Sequence, residues 1–239
     1  ACGIMGWKSD NFKQNIYKSE NFSEHSIYGI ILLSFLSLII NFFIPIGKIV
    51  GTTIIVIGFI LFLTLFWKTN QKKKLISYIL YTSVITLTLL LFANVNRPDA
   101  GLYHLPYISI LNENKILIGI NNIHYRFGHT SIMQYLSAIY NNNIFNEAGV
   151  TIPLCLIYCN FVGYLIFEIF NKKNPRPVII FAFIILTFIL FRVNRYSDFG
   201  NDAPANLLFF YLIIESLKKT ENFLKIKKTL FASLFVFLN

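Results

Sequence analysis

A polar segment between two strongly apolar stretches holds most of the side chains that could do chemistry in this chain. Asp99 lies near its start and Tyr103 follows, and the segment also contains two arginines and three of the chain's four histidines: Arg97, His104, His124, Arg126 and His129. A carboxylate can accept a proton, a guanidinium can hold a phosphate, and an imidazole or phenol can bond to hydroxyl groups. A loop that gathers such groups beside a bilayer is a candidate functional site.

Asp99 has two compatible roles. It follows an apolar stretch and precedes a predicted short helix, so its carboxylate could cap that helix by accepting backbone N–H bonds. Within reach of a hydroxyl substrate, the same carboxylate could serve as a general base. An aspartate that its own helix holds in place suits both roles.

The arginines admit two interpretations. Arg97, Arg126 and Arg195 could each grip a phosphate through paired hydrogen bonds, or could bond to lipid head groups without selectivity. Arg126 is the favoured phosphate ligand, because Tyr125, Phe127 and two histidines surround it in the sequence.

His104, His124 and His129 could contact a polar substrate, make structural hydrogen bonds or bind a divalent metal. Their spacing matches no compact ligand motif, such as two histidines four residues apart on a helix, so a metal cofactor stays open. Cys155 and Cys159 lie four residues apart in an apolar run. That setting favours a free, buried pair over a redox or zinc site.

A second polar segment, residues 192–204, carries Asp198 and Asp202 four residues apart. Asp202 is predicted to cap a helix that begins near Ala203, since Pro204 is typical of a first helical turn. Alternatively, both carboxylates face the first segment and bind a metal, an acceptor or a sugar hydroxyl.

The composition is that of a membrane protein. Of the 239 residues 55% are hydrophobic and 13% are charged, which does not describe a water-soluble domain. The net charge of +10 comes largely from lysines in short loops between apolar runs, as in membrane proteins. The sequence therefore predicts a bilayer as partner and no nucleic acid.

The helices that must position these residues are read from apolar runs of about 20 residues, the length that crosses a bilayer core about 30 Å thick. The expected number of membrane spans is about six or seven, because three further apolar runs follow: Val178 to Val193, Ala205 to Leu217 and one that begins near Thr229. The four long runs are Ile27 to Ile46, Ile49 to Trp67, Leu75 to Ala93 and Ala148 to Phe170. The predicted fold class is an all-α, polytopic transmembrane helical bundle.

Connections between the helices are alternately rich and poor in lysine. This pattern predicts how the helices are oriented across the membrane. The clusters at 68–74, 172–176 and 218–228 mark the cytoplasmic side of a plasma membrane. The loop 94–147 and the segment 192–204 then share the extracytoplasmic side. Residues 1–26 are predicted to be cytoplasmic.

Two interfacial helices are expected within the long loop, because apolar residues recur there at helical spacing. They cover Ala100 to Ile110 and Thr130 to Tyr140. The loop is therefore expected to form a structured cap.

An aspartate opening the first long extracytoplasmic loop, two interfacial helices and a later acidic loop resemble the GT-C superfamily of membrane glycosyltransferases. More narrowly, residues 99–104 and 121–127 are similar to an uncharacterised bacterial family of multi-pass membrane proteins of that general type. The resemblance covers 75–217. The two helices of 27–67 are additional, and residues 229–239 are expected to begin a helix that the chain truncates.

The resemblance implies a sugar donor linked to polyprenyl phosphate, a glycan or lipid-linked acceptor, and Asp99 as the base. Arg126 or Arg97 would hold the departing phosphate, while sugar hydroxyls would be contacted by Tyr103, His104 and His124. No acidic residue adjoins Asp99, which is a departure from a paired acidic motif.

The expected function is therefore sugar transfer from a polyprenyl-phosphate donor in surface polysaccharide assembly. The alternatives are a polysaccharide polymerase, ligase or transporter of lipid-linked glycans, or a non-catalytic membrane scaffold. A transporter would place ionisable groups at the membrane midplane. Glu168 and Glu215 instead lie near lysine-rich helix ends.

Overall fold

The computed structural model describes residues 21–92, 99–128, 131–193, 196, 199, 202–218 and 223–238, and every regular element among them is helical. This confirms the predicted all-helical class. The α-helices are α1 Phe22–Phe43, α2 Lys48–Lys68, α3 Lys72–Leu91, α4 Leu105–Glu113, α5 Ile132–Tyr140, α6 Ile152–Phe170, α7 Arg176–Phe191, α8 Asp202–Leu217 and α9 Phe223–Phe237.

Four helices of the described chain are long and apolar enough to cross a membrane. They are α1, α2, α3 and Asn146–Phe170, a 3₁₀ helix, Asn146–Thr151, that continues into α6. These are the four long runs of the sequence prediction, with ends shifted by a few residues. Large apolar side chains such as Ile49 and Phe59 of α2 are exposed by 77% and 59%, as expected of a helix that faces lipid.

Helix α6 is the centre of the bundle and packs against α1, α3, α7 and α8. Its side chains are mostly buried, including Phe161, Tyr164 and Leu165. Gly163 lets α1 approach closely, because a Cβ at that position would lie 2.4 Å from Oγ of Ser23. A helix that is buried on most of its surface has a nearly continuous apolar sequence, which makes the run recognisable.

Residues 100–128 and 131–140 form a compact unit, here called the cap. A π-helix, Ala100–His104, leads directly into α4, and two short 3₁₀ helices, Ile120–Asn122 and Tyr125–Gly128, precede α5. Helices therefore cover most of both predicted stretches, with two further 3₁₀ helices between them, and their position at the membrane interface stays a prediction. The apolar core of the cap is built around Tyr107, Leu111, Tyr135 and Ile139, and Ile46 of the turn between α1 and α2 is buried in the same core.

Asn112 attaches the cap to the membrane helices. Its Nδ2 donates to the backbone oxygens of Ile46 (2.6 Å) and Ala138 (3.0 Å), and its Oδ1 accepts from Nδ2 of Asn141 (2.8 Å). One amide thus ties α4 to the turn between α1 and α2 and to α5. Asn41, near the end of α1, adds a bond from its Nδ2 to the Asn114 oxygen (3.0 Å).

The cap is also held by close packing against α2. A Cβ at Gly51 would lie 2.4 Å from the backbone oxygen of Ile139 in α5, a distance that real side chains do not adopt. A residue without a side chain is required where two backbones approach this closely.

At the opposite, lysine-rich end, a buried ionic cluster joins α6 to α8. Nζ of Lys218 lies 2.7 Å from Oε1 of Glu168 and 2.6 Å from Oε1 of Glu215. The Tyr164 hydroxyl donates to the same Glu215 oxygen at 2.7 Å, and Asn174 donates to Oε2 of Glu168 at 2.6 Å. Every charged group of this cluster therefore has protein partners.

Candidate functional site

Asp99 lies at the start of the π-helix and is exposed to solvent. Its carboxylate makes no capping hydrogen bond there, so the capping role expected from the sequence is not realised at this helix start. A π-helical turn is rare and is often found at functional sites. The geometry leaves the carboxylate available to a ligand.

Arg126 lies on the 3₁₀ helix Tyr125–Gly128, directly over two aromatic rings. Its guanidinium carbon is 5.2 Å from the centre of the Tyr103 ring and 5.3 Å from that of Tyr125, and its Nε donates to the Tyr125 hydroxyl at 3.1 Å. Cation–π contacts of this kind orient a guanidinium without neutralising it. Arg126 is exposed, so its remaining N–H groups face solvent and can receive an anion.

His124 supports this arrangement. Its Nδ1 accepts a hydrogen bond from the backbone N–H of Arg126 at 3.3 Å, and its ring stacks on Tyr125 with 5.0 Å between ring centres. The bond to the backbone fixes which ring nitrogen accepts. His124 therefore positions Arg126 and Tyr125, while its predicted contact with a sugar stays a prediction.

The pKa of Tyr103 is affected by charged residues from three segments of the chain. Partial burial raises the pKa of its phenol, the charges of Asp99 and Asp202 raise it further, and Arg126 lowers it, with a net rise. The pKa of Arg126 is raised, chiefly by its hydrogen bond to Tyr125 and also by the Asp99 charge. Asp99 and Asp202, 103 positions apart in the numbering of the chain, thus act on one phenol.

Asp202 is the first residue of α8 and is exposed. The helix was expected to begin near Ala203, so the boundary agrees to within one residue. Phe199, just before it, packs against the apolar core of the cap. This contact brings Phe199, a described residue of the second polar segment, against the cap.

His104 has a different environment from the other predicted residues. It is 5% exposed, and its Nδ1 lies 3.4 Å from Nε2 of Gln134. Gln134 also completes a capping box with Ser131 at the start of α5. His104 therefore links the π-helix to α5 through Gln134. A direct contact of His104 with a sugar hydroxyl stays a prediction.

Sequence reasoning missed Gln134 as the partner of His104. Ser131 followed by Gln134 is a recognisable capping-box pattern, so the helix start could have been read from the sequence. The contact of the Gln134 side chain with a histidine 30 residues earlier had no local signal.

Four of the predicted site residues lie outside the described residues: Arg97, His129, Arg195 and Asp198. Within the described part of the chain, no three His, Cys, Asp or Glu side chains are grouped so that they could hold a metal ion. Cys155 and Cys159 are both buried and free, as the sequence predicted. Their sulfurs face the backbone oxygens of Tyr196 and Thr82.

The cluster of Asp99, Tyr103, Arg126 and Asp202 combines an exposed cation with two carboxylates and a protonated phenol. The cation suits a phosphate, the phenol can donate a hydrogen bond, and a carboxylate can take up a proton. Together they suit a ligand that has both a phosphate and hydroxyl groups.

Comparison with curated proteins and with solved structures finds no match to this chain. A family model matches residues 1–239, the whole of the sequence. The chain therefore belongs to the family DUF8201, described as a domain of unknown function.

Proposed function

We propose that the protein is a membrane glycosyltransferase that moves a sugar from a polyprenyl-phosphate donor to a hydroxyl of a glycan or lipid-linked acceptor in surface polysaccharide assembly. The observation that carries the proposal is the convergence of Asp99, Asp202 and Arg126 on Tyr103, at the cap end of a membrane bundle. A donor of this kind keeps its phosphate at the membrane surface, where Arg126 is exposed.

The proposed orientation puts the cap on the extracytoplasmic side of the plasma membrane. It rests on the lysines that follow α2, α6 and α8, all at the end of the bundle away from the cap. Counting α7, α8 and α9 as spans with the four long helices gives the proposed total of seven.

In the proposed reaction, Asp99 accepts the proton of the acceptor hydroxyl as its oxygen attacks the anomeric carbon of the donor sugar. The bond between that carbon and the phosphate oxygen breaks, and the polyprenyl phosphate leaves with the bonding electrons. Arg126 stabilises the negative charge that develops on the phosphate. Attack from the side opposite the phosphate inverts the configuration at the anomeric carbon.

Tyr103 would serve as a hydrogen-bond donor in this site. Its pKa is raised by partial burial and by the two carboxylates, so the phenol stays protonated at neutral pH. A neutral phenol at this position can donate a hydrogen bond to a sugar hydroxyl or to a phosphate oxygen. No step of the proposal needs a nucleotide-binding motif.

The test is Asp99→Asn in the full-length protein, assayed in native membranes for consumption of polyprenyl-linked sugars. Loss of a general base lowers turnover by a factor of about a hundred or more, at unchanged protein abundance. Glu147→Gln is the matched control, because Glu147 is an exposed carboxylate at the start of the helix that leads into α6.

Full turnover in the Asp99→Asn protein would contradict the assigned base. The segment would then have a structural role, and a scaffold or a transporter of lipid-linked glycans would explain the protein better. Uptake of lipid-linked glycan into proteoliposomes without sugar transfer would identify the transporter.

A further inference from the structure

A cleft of about 410 Å³ lies between α1, α2 and α3 and reaches Tyr140, the last residue of α5 in the cap. Helix α2 is held at its start, where Gly51 packs against α5. In the most apolar 18-residue stretch of this helix, 6% of the residues are buried. Because its second half is not packed into the bundle, space remains between that half and its two neighbours. Gly58, Phe62 and Leu65 of α2 form one wall of this space.

The cleft has the length of one membrane leaflet. On α2 its lining runs from Gly58 to Lys68, ten residues that rise about 15 Å in an α-helix. The hydrocarbon core of a bilayer is about 30 Å thick, so one leaflet contributes about half of that.

The two ends of the cleft differ in chemistry. The mouth is formed by Lys68, Thr69 and Gln71, and Lys72 to Lys74 follow at once on the same end of the bundle. The deep end is lined by apolar or aromatic side chains, among them Leu33 and Leu156. The lining is therefore basic at the membrane surface and apolar toward the membrane interior.

The lining carries no carboxylate among the described residues, so the positive charge at the mouth is not offset within the cleft. The polar groups on its wall are largely satisfied by one another, since the Tyr78 hydroxyl bonds to Ser26 and Asn160. What remains for an occupant is contact with Lys68 at one end and with apolar surface at the other.

The geometry points to a binding site for an anionic phospholipid of the surrounding bilayer. Its phosphate head group contacts Lys68 at the mouth, and an acyl chain fills the space between α1, α2 and α3. Clusters of lysines at the end of membrane helices attract anionic lipids in this way, and an acyl chain matches both the length and the apolar lining. The site is separate from the Asp99 cluster and does not depend on the proposed reaction.

Two variants test the charge and the shape separately. Lys68→Gln removes the head-group contact. Gly58→Phe fills the cleft, and a Cβ at Gly58 meets no atom within 4 Å, so the larger side chain enters open space. Matched controls on the same helix are Lys48→Gln at its other end and Ile57→Phe on its exposed surface.

The whole protein is purified in detergent and titrated with phosphatidylglycerol or phosphatidylcholine of identical acyl chains, with bound lipid counted by native mass spectrometry. We expect the wild type and both controls to bind phosphatidylglycerol about fivefold more tightly than phosphatidylcholine, the factor that one lysine contact contributes. Lys68→Gln is expected to abolish this preference, and Gly58→Phe to remove binding of both lipids.

Equal affinity of the wild type for the two lipids would overturn the proposal and assign the cleft to any acyl chain. Undiminished binding in the Gly58→Phe protein would place the lipid elsewhere. Binding of neither lipid to the wild type would likewise overturn the proposal. Thermal unfolding of each variant shows whether a loss of binding comes from a loss of fold.

Discussion

The two ends of the helical bundle carry the same kinds of chemical group in opposite environments. At the lysine-rich end, Lys218 bonds to Glu168 and Glu215, whose side chains are 3% and 4% exposed. At the cap end, Asp99 and Arg126 are exposed to solvent. Charges whose partners are all protein groups hold helices together, whereas exposed charges remain available to a ligand.

The largest expected effect on stability is at the lysine-rich end, where the charged groups are buried. Lys218→Met would leave the Glu168 and Glu215 carboxylates close together without their cation, and breaking a buried ion pair in this way costs about 3–5 kcal/mol. We expect a large decrease in the thermal unfolding temperature of the detergent-solubilised protein. Lys172→Met, at an exposed lysine on the same end, is the control and should unfold like the wild type. Equal unfolding temperatures for the two variants would show that the cluster does not stabilise the bundle.

The next largest effect is expected where α2 packs against the cap. Two glycines of α2 allow the loss of this packing to be distinguished from an effect on the helix alone. Gly51→Ala puts a Cβ 2.4 Å from the Ile139 oxygen, so we expect a loss of about 1–3 kcal/mol from overpacking. Gly58→Ala makes the same chemical change in open space and should be neutral or stabilising, because alanine favours a helix. Protease sensitivity of the cap, measured in both variants, distinguishes them. A cap equally resistant in both would argue against close packing at Gly51.

The buried ionic cluster around Lys218 also predicts how the stability of the protein depends on pH. Burial alone would lower the pKa of Lys218, but the carboxylates of Glu215 and Glu168 outweigh it and the net pKa is raised above the ordinary 10.5. A raised folded-state pKa contributes stability that is complete below 10.5 and is lost as the pH rises through the folded value. Denaturation of the wild type should therefore show a decline at strongly alkaline pH. The Lys218→Met protein should lack the lysine contribution to that decline.

The smallest effect is expected at the exposed end. Tyr103→Leu removes the ring beneath Arg126 and should raise the KM for the lipid-linked donor about threefold, as expected for an exposed cation–π contact. Tyr103→Phe keeps the ring and removes the hydroxyl, so it separates the two contributions of this side chain. Equal KM values for the wild type and the Tyr103→Leu protein would mean that the ring does not position Arg126.

The membrane helices and the helices of the cap could be predicted from the sequence because each depends on a local pattern. Apolar runs of sufficient length gave α1, α2, α3 and α6, and helical spacing of apolar residues gave α5. The alternation of lysines further led us to expect that the two polar segments lie together, and the joint effect of Asp99 and Asp202 on Tyr103 agrees with that expectation.

The contacts between side chains could not be predicted in this way. Glu168 and Lys218 are 50 positions apart, and their contact depends on how α6 and α8 are rotated about their axes, which an all-apolar sequence does not specify. The stacking of Arg126 on Tyr103 likewise needs the two cap segments to dock first. The helix start at Asp99 is π-helical and lacks a capping bond, and the sequence carries no signal for a π-helix.

Asn112 has a consequence for how a substrate reaches the site. Its amide bonds to Ala138 and Asn141 at the end of α5 and to Ile46 in the turn between α1 and α2, so raising the cap would break the bond to Ile46 and expose the apolar core beneath the cap. A donor with a long lipid tail does not require such an opening. The proposed donor could diffuse in the plane of the bilayer and present its phosphate to Arg126 from the side, while the cap stays in place.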